Sequence, residues 1–547
     1  MTDTTSSHRP EPDLVEAAGY PPGRGVAKRD YHPRLTNEDL APLKEQTWGT
    51  YNIFAFWMSD VHSVGGYLTA GSLFALGLTS WQVFICLIVG ICIVQFFCNL
   101  VAKPSQLAGV PYPVISRASF GVLGANIPAI IRGLIAVAWY GVQTFLAAES
   151  LNIVFLKIWP GLAPWADVDQ HGFLGLSVLG YVSYAILWVL QGLLFWRGMD
   201  TIRKFIDFAG PAVYVAMMAL CIYLLVKADF DIDLNLSDHA LHGSALISTM
   251  LASIAVVVSY FSGPMLNFGD FSRYSRSFDS VKKGNFWGLP INFVVFSLLT
   301  VLTAAATVPV YGELITDPIQ TVNKIDNTFA IILGGLTFVT ATVGINIVAN
   351  FISPAFDFSH VNPQKISWRA GGMIAAVGSV LLTPWNWYDN PDAIFWTLGL
   401  LGALIGPLFG ILIADFYLVR HQKVVVDDLF TMDEDGTYYY RKGYNMAAVQ
   451  AVVVTGVIAL ASVIVPKEAG ILDWLPKYSW FVGCGLGFGV YLVLARWAGL
   501  GEPAEAVAGP VTAGDKESVC SEAAINLVPA GVREEATGGV GGAAEHG

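Results

Sequence analysis

The chain alternates between long apolar runs and short polar connections. A helix that spans a bilayer needs about 20 mostly apolar residues, and twelve runs in the sequence meet that requirement. The first, third and tenth runs are long enough to tilt or break. The pattern predicts an all-α integral membrane protein with twelve transmembrane helices. The runs cover residues 48–76, 81–101, 125–157, 174–195, 205–226, 244–268, 288–311, 329–355, 369–387, 391–419, 445–465 and 477–498.

The stretch 102–124 follows the second run and is apolar, but it is interrupted by several Pro and Gly residues. Pro and Gly disfavour a continuous helix. We therefore expect an interfacial or re-entrant connection there.

Basic residues fall in every second connection, whereas intervening connections such as 166–170 and 228–238 are acidic. The positive-inside rule assigns the basic connections to the cytoplasm, which predicts that both termini are cytoplasmic. An even number of spans agrees with that orientation. The basic residues are Lys103, Arg117, Arg197, Arg203, Lys204, Arg273, Arg276, Lys282, Lys283, Lys365, Arg369, Arg420, Lys423, Arg441 and Lys442.

The composition agrees with a protein that lies mostly in lipid. Of 547 residues, 54% are hydrophobic and 13% are charged, whereas roughly 25% of residues in soluble domains are charged. Much of the acid behind the net charge of −12 lies in tails and loops, so no nucleic-acid partner is expected. No HExxH, Walker A or nucleophile-elbow motif stands in a suitable context, so we expect neither an enzyme nor a cofactor.

Two of the runs carry residues that interrupt helices at membrane depth. The first contains Asp60, His62 and Ser63 beside the pair Gly65-Gly66, and the sixth contains Gly263-Pro264. Transporters place such interruptions at corresponding positions of two repeats, next to the transported molecule. We expect breaks in helices 1 and 6. The alternative is that these residues form ordinary Gly/Pro kinks.

The third and eighth runs carry polar or aromatic pairs at helical spacing. Trp139 and Gln143 are four residues apart, as are Asn346 and Asn350, so each pair shares a helix face. An indole stacks on a flat ring, and a side-chain amide both donates to and accepts from a ring amide edge. The alternative is that these groups only pack or bond between helices.

Five stretches together resemble the nucleobase:cation symporter-1 family, whose members carry cytosine, uracil, purines, allantoin or hydantoins. The resemblance runs from about Leu40 to Arg496. It implies a five-plus-five inverted-repeat fold, shared with amino-acid symporters, with two additional C-terminal helices and alternating access. The stretches are WMSDVHSVGGYLTAG, AWYGVQTFLAAESL, LNFGDFSRY, VANFISPAFDF and GPLFGILIADFYLVR.

The apolar runs, the loop charges, the composition of the tails and the resemblance together imply an organisation of the chain. We expect a cytoplasmic N-terminal tail at 1–45, a first repeat at 46–228 and a second repeat at 240–420. A cytoplasmic loop at 421–444, two further helices at 445–498 and a disordered cytoplasmic tail at 499–547 complete the chain.

The substrate-binding residues of the family can be placed on this sequence. Trp139 matches its stacking tryptophan, Gln143 its amide-reading glutamine and Asn350 its helix-8 asparagine. Phe261 falls where many members have a second stacking aromatic residue, and Ser63 falls where relatives often have an amide. The resemblance therefore implies a substrate sandwich with one smaller ring and one shorter polar group.

The cation site departs from the family pattern. The backbone positions of the sodium site in relatives correspond to Ser59, His62 and Ala341, and the two hydroxyl positions to Gly344 and Ile345, which carry no hydroxyl. Without these ligands we expect proton coupling rather than sodium coupling.

Asp60, His62 and Glu149 are ionisable groups at membrane depth and are candidates for coupling. Each of them is alternatively a structural or cavity-lining group.

These observations predict a secondary active transporter that imports a nucleobase or related ring by cation symport, with a proton or sodium ion as the coupling ion. It is expected to lie in the plasma (inner) membrane as a multi-pass protein and to function as a monomer. The alternative is a transporter of an amino acid or another small metabolite on the same fold.

Overall fold

The computed structural model describes residues 14–15, 26–27, 31–234, 241–387, 391–464 and 476–501. The C-terminal tail expected to be disordered lies outside the described residues from residue 502 onward. Most of the N-terminal tail before residue 31 also lies outside them.

Within these ranges, ten helices are long and apolar enough to cross a membrane. Two more complete the predicted twelve: α1 is broken into α1a (Thr50–Val61) and α1b (Val64–Ser72), and α9 (Trp368–Leu381) has 14 residues. The predicted all-α membrane fold is confirmed. The long helices are α2 (Ser80–Ala108), α3 (Asn126–Ile158), α4 (Val178–Trp196), α5 (Met199–Lys227), α6 (Gly243–Leu266), α7 (Phe278–Tyr311), α8 (Thr328–Val361), α10 (Pro391–Val419), α11 (Met446–Ile464) and α12 (Ser479–Trp497).

Shorter elements connect these helices. Wider π turns lie within α7 (Trp287–Ile291), α8 (Val348–Ile352) and α10 (Ala414–Val419). Short α-helices are Tyr112–Ile115, Arg117–Phe120, Ala163–Ala166, Val168–His171, Gly269–Ser272 and Pro318–Asn323. The 3₁₀ turns are Phe74–Leu76, Pro160–Leu162, Pro384–Asn386, Asp427–Leu429 and Pro476–Tyr478. Two antiparallel strand pairs join Leu14–Val15 to Val26–Ala27 and Gly172–Phe173 to Leu176–Ser177.

The second helix is longer than expected. Residues 102–108 belong to α2, which passes through Pro104 and ends at Ala108, so the expected non-helical connection is wrong for this part of 102–124. Proline lacks the N–H that would bond to the carbonyl four residues earlier. That carbonyl, of Leu100, instead accepts a hydrogen bond of 3.0 Å from the Tyr417 hydroxyl. A neighbouring helix thus compensates for the proline.

The contacts between helices are repeated in the two halves of the chain. Helices α1 to α5 of the first half correspond to α6 to α10 of the second half. α1 packs on α5, and α6 packs on α10; α3 packs on α4, and α8 packs on α9. Across the two halves, α2 packs on α6, and α7 packs on α1. Each repeat has five spanning helices, so the second repeat starts on the opposite side of the membrane and is inverted. α11 and α12 pack on α10.

The same contacts separate two groups of four helices. α1, α2, α6 and α7 pack together and are called the bundle below; α3, α4, α8 and α9 pack together and are called the scaffold. The two groups meet along α1 and α6 on one side and α3 and α8 on the other.

The connections rich in Lys and Arg meet on one face of the protein, together with residues 31–49. The Trp48 N–H donates to the carbonyl of Tyr274 (2.8 Å). Arg117 donates to the carbonyls of Leu429 (2.8 Å) and Leu35 (2.7 Å). We call this side the basic face.

The packing of α12 on α10 gives a test of the fold. A Cβ added at Gly406 would lie 2.5 Å from the Trp480 carbonyl oxygen and 3.0 Å from the Cys484 nitrogen. Gly406→Ala is expected to destabilise the protein by about 1–3 kcal/mol through overpacking, measured as a lower melting temperature in detergent. Gly485→Ala on α12 is the matched control, because nothing lies within 4 Å of its Cβ position. Equal melting temperatures for the two variants would contradict this packing.

Candidate functional site

The first helix is interrupted at His62 and Ser63, as predicted. The Ser63 hydroxyl accepts a hydrogen bond of 3.1 Å from the Gly66 N–H and so caps α1b. It also lies 3.0 Å from the Tyr260 hydroxyl of α6. The interruption is buried inside protein, which is where a membrane helix tolerates free backbone groups.

The sixth helix differs from the prediction. α6 continues through Gly263-Pro264 to Leu266, and the chain leaves the helix at Asn267 and Phe268. A proline removes the one hydrogen bond that its missing N–H would make. The interruption therefore lies about one turn later than the Gly-Pro pair.

A cavity of about 280 Å³ lies between the bundle and the scaffold. This volume includes space that is open to solvent, so the residues around the cavity, and not its size, make it a candidate site. The bundle contributes Asp60, Tyr260 and Pro264, and the scaffold contributes Trp139, Gln143, Ile345, Ala349 and Asn350.

A larger space of about 470 Å³ lies near the basic face between α2 and α10. Its carboxylate, Asp415, already accepts hydrogen bonds from Ser119 (3.0 Å) and Tyr491 (2.5 Å) and is paired with Arg420 (3.4 Å). Among its described lining residues, the side-chain atom without a partner is the Tyr112 hydroxyl, whereas the smaller cavity has the Gln143 oxygen and both Asp60 oxygens. A site for a polar ring needs polar groups that are not already used in this way. The smaller cavity is therefore the better candidate.

Trp139 lies on the cavity wall with its ring edge-to-face against Tyr260, at a centroid distance of 5.5 Å and an interplanar angle of 85°. Tyr260 was missed from the sequence. It precedes Phe261, and consecutive helix residues point about 100° apart. Phe261 packs edge-to-face on Tyr260 and Phe293, and it is absent from the described lining of the cavity.

Gln143 reaches the point where α1b, α3 and α6 come together. A Cβ at Gly65 would lie 3.0 Å from the Gln143 side-chain nitrogen and 3.2 Å from the Tyr260 hydroxyl. Glycine therefore permits this close approach. The Gln143 side-chain oxygen is buried and accepts no hydrogen bond from the described residues, so it remains available to a ligand donor.

Asn350 faces the same cavity from the π turn of α8. Its amide donates to the Asn346 side-chain oxygen (3.1 Å). Asn346 in turn donates to the Tyr140 carbonyl (3.1 Å), Thr144 (3.0 Å) and Gln191 (2.7 Å). Asn346 is thus held by a network within the scaffold, and that network orients Asn350.

Asp60 lies at the end of α1a on the edge of the cavity. Its side chain is 1% exposed, and neither carboxylate oxygen accepts a hydrogen bond from the described residues. A buried charge without partners is strongly unfavourable. Asp60 is therefore in an environment that favours a bound proton or a cationic partner.

The other two candidates for coupling have partners. One ring nitrogen of His62 lies 3.0 Å from the Tyr67 hydroxyl and the other 3.2 Å from the Asn292 side-chain oxygen, which satisfies a neutral imidazole. Glu149 accepts a hydrogen bond of 3.1 Å from Asn152 and is absent from the described cavity lining.

The positions compared with the sodium site meet between α1a and α8. A Cβ at Gly344 would lie 2.8 Å from the Ser59 hydroxyl, which has no hydrogen-bond partner among the described residues. Ser59 therefore brings a hydroxyl from helix 1 into the space left by the glycine. Ala341 is buried on α8, and Ile345 lines the cavity. Within the described residues, no group of three or more His, Cys, Asp or Glu side chains is placed to hold a metal ion.

Comparisons with known proteins agree with this arrangement. A family model described as permease for cytosine/purines, uracil, thiamine and allantoin matches residues 41–483. The chain is 33% identical over 467 residues to an allantoin permease of Bacillus subtilis (strain 168), covering 85% of this chain and 94% of that protein. It is 30% identical over 460 residues to the purine-uracil permease NCS1 of Arabidopsis thaliana, covering 83% and 74%.

Solved structures show the same fold. The closed conformation of Mhp1, a nucleobase-cation-symport-1 family transporter with bromovinylhydantoin bound, matches with a TM-score of 0.69 and 21% identity, covering 89% of this chain and 100% of that one. A Na⁺-coupled sialic acid symporter matches with a TM-score of 0.55 and 11% identity, covering 84% and 92%. On the strength of the family model and the relatives, the chain belongs to the nucleobase:cation symporter-1 family of membrane permeases and is a transporter rather than an enzyme.

Proposed function

We propose that this protein imports a nucleobase or related ring, such as uracil, allantoin or hydantoin, by cation symport with alternating access. The observation that carries the proposal is the small cavity between bundle and scaffold, where Trp139, Gln143 and Asn350 share one wall. An indole face and two side-chain amides match a flat ring with alternating C=O and N–H groups.

The named relatives support the same substrate class, because they are permeases for allantoin and for purines and uracil, and a similar structure holds a hydantoin. These rings share cyclic amide units. The position of the cavity between two four-helix groups also supports alternating access, since relative movement of the groups would open it to either side.

The alternative, an amino-acid transporter on this fold, predicts a different preference. An amino acid carries a carboxylate and an ammonium group, which require compensating charges or helix ends. Uptake of radiolabelled uracil, allantoin, hydantoin and leucine into proteoliposomes separates the two. Saturable uptake of leucine alone would replace the ring proposal with the alternative.

For coupling, we favour a proton over sodium. Gly344 and Ile345 provide no side-chain oxygen, and Asp60 at the cavity edge lacks hydrogen-bond donors among the described residues. One observation favours sodium: the Ser59 hydroxyl supplies an oxygen close to Gly344. Sodium coupling therefore predicts that loss of the Ser59 hydroxyl impairs substrate binding, whereas proton coupling predicts no effect.

We further propose that the protein functions as a monomer in the plasma (inner) membrane with both termini in the cytoplasm. The support for the orientation is the basic face, because Lys and Arg accumulate on the cytoplasmic side of membrane proteins.

Trp139→Ala is expected to reduce substrate affinity about tenfold or more, since loss of a ring–aromatic stack amounts to roughly 1–3 kcal/mol. The measurement is saturable uptake of the preferred ring, with membrane expression checked on the same cells. Trp396→Ala is the control, because Trp396 is 52% exposed on the outside of α10, and it should transport normally. Wild-type affinity in the Trp139 variant would remove this residue from the site.

Gln143→Glu replaces an amide, which donates and accepts, with a carboxylate that only accepts. The variant should discriminate against rings that present a C=O at this position and should lose less affinity for rings that present N–H. Competition of uracil, allantoin and hydantoin for uptake measures this change of order. An unchanged order of competitors would show that Gln143 does not read the ring edge.

Uptake is expected to rise as external pH falls and to collapse with a protonophore, while replacement of sodium by choline has little effect. Ser59→Ala, which keeps the backbone carbonyl, should then leave uptake unchanged. Three results together would favour sodium coupling instead. Substrate binding would depend on sodium, it would not change between about pH 5.5 and 7.5 around the histidine range, and it would be lost in Ser59→Ala.

A further inference from the structure

A second set of buried charged groups lies directly beside the cavity on the side of the basic face. Arg132 of α3 donates to the Asn267 side-chain oxygen from Nε (3.3 Å) and Nη2 (3.1 Å). Its Nη2 also donates to the Ala349 carbonyl (3.2 Å), and Ala349 lines the cavity. Arg132 therefore joins the scaffold to the end of α6 in the bundle, immediately next to the candidate substrate site.

Asn267 extends the connection to one carboxylate. Its amide donates to Asp270 (3.2 Å) and to the Ser353 hydroxyl of α8. The other Asp270 oxygen accepts from the Tyr112 N–H (2.8 Å). Asp270 thus accepts hydrogen bonds at both oxygens, which stabilise its ionised form.

Asp357 differs sharply from Asp270. It is fully buried on α8, and neither of its oxygens accepts a hydrogen bond from the described residues. It lies against α3 next to Arg132, since a Cβ at Gly133 would be 3.5 Å from the Asp357 Cβ. Nη1 of Arg132 also has no partner among the described residues.

The two carboxyl groups of this set differ in the donors that reach them. The ionisable groups that face Asp357 are Arg132 from α3, Asp270 from the end of α6 and Tyr112 from the connection after α2. The positive charge of Arg273 acts on Asp270. The guanidinium of Arg132, in contrast, donates to Asn267 and the Ala349 carbonyl and not to Asp357. A buried carboxylate that receives no donor is avoided by protonation. Of the two carboxyl groups, Asp357 is the one without donors.

The other charged groups on the basic face make contacts that do not include Asp357. Arg117 donates to His360, one turn further along α8 (2.9 Å). Arg273 donates to the Asp39 carbonyl (3.1 Å), and Arg369 of α9 lies over the Trp196 ring at 5.5 Å.

We propose that Asp357 is a second proton-carrying carboxyl group of this transporter, and that it releases its proton when Arg132 exchanges Asn267 for Asp357. Asn267 belongs to the bundle, whereas Arg132 and Asp357 both belong to the scaffold. Separation of the two groups at the basic face therefore breaks the Arg132–Asn267 contact but leaves Arg132 beside Asp357. The carboxyl O–H bond then breaks, the proton passes to water at the basic face, and the carboxylate pairs with the guanidinium. The proposal rests on the proton coupling proposed above.

The first test uses Asp357→Asn, which mimics the protonated state, in proteoliposomes. The probe is the ring, among uracil, allantoin and hydantoin, that the wild-type protein accumulates. Accumulation driven by a proton gradient should fall about tenfold or more, within the range of typical coupling energies, whereas exchange of substrate across the membrane continues. Asp357→Glu, which retains a titratable group, should recover accumulation. Wild-type accumulation and pH dependence in Asp357→Asn would overturn the proposal.

The second test needs no substrate. Infrared spectra of the purified protein should contain a carboxylic-acid C=O band, separate from any band removed by Asp60→Asn, that is lost in Asp357→Asn and kept in the matched control Asp415→Asn, whose carboxylate is equally buried. Survival of the band in Asp357→Asn would overturn the proposal even if transport is proton-driven. If the wild-type protein shows no proton-driven accumulation, the proposed coupling fails; a band lost in Asp357→Asn would then identify Asp357 as a buried acid and overturn the release step alone.

Discussion

Lipid offers no hydrogen-bond partner to a backbone N–H or C=O, and the rest of this structure depends on how the chain meets that constraint. Every spanning segment must be helical unless other protein groups surround it. The interruption at His62 and Ser63 satisfies this condition because it is enclosed by α3, α6 and α7. Where Pro104 removes a hydrogen bond inside α2, the Tyr417 hydroxyl replaces it. At the helix 1 interruption, polar side chains of other helices surround the chain. Some of these polar side chains also line the neighbouring cavity.

The candidate site uses its polar groups for two purposes. Ser63 caps α1b and approaches Tyr260, and Asn350 donates a hydrogen bond to Asn346, which belongs to a network within the scaffold. These bonds hold the bundle and scaffold walls of the cavity in defined positions. Two groups that line the cavity, the Gln143 oxygen and the Asp60 carboxylate, have no hydrogen-bond partner among the described residues. A buried polar group without a hydrogen-bond partner is unfavourable. A ring that forms hydrogen bonds with these groups therefore gains affinity because it removes that cost.

Much of the fold could be predicted because the membrane imposes length and polarity on each helix. Each apolar run located one helix, but α2, α5, α8 and α9 differ from their runs by six or seven residues at one end. The first half of α7, at Phe278–Phe286, was missed because its charged residues resemble a loop. The face shared by Trp139 and Gln143 followed from helical spacing. The second aromatic residue of the cavity, Tyr260, could not be predicted in this way. To choose between Tyr260 and Phe261, one must know how α6 is rotated about its axis, and a sequence that contains a proline does not specify that rotation. The approach of Ser59 to Gly344 likewise depends on how two helices pack, since a missing side chain on one helix makes room for a side chain from another.

Carboxyl groups lie on both sides of the interface between the two helix groups, and their surroundings differ in an informative way. Asp60 is on the bundle at the cavity, whereas Asp357 is on the scaffold toward the basic face. Asp270 and Asp415, which are also buried, accept hydrogen bonds at both oxygens, as expected for carboxylates that serve a structural purpose. Asp60 and Asp357 accept none within the described structure. Because a buried ionised carboxylate needs donors or a counter-charge, these two groups are the ones on which the proposed proton coupling rests. In that proposal, the different surroundings of the carboxyl groups link the position of a proton to the relative position of the two helix groups.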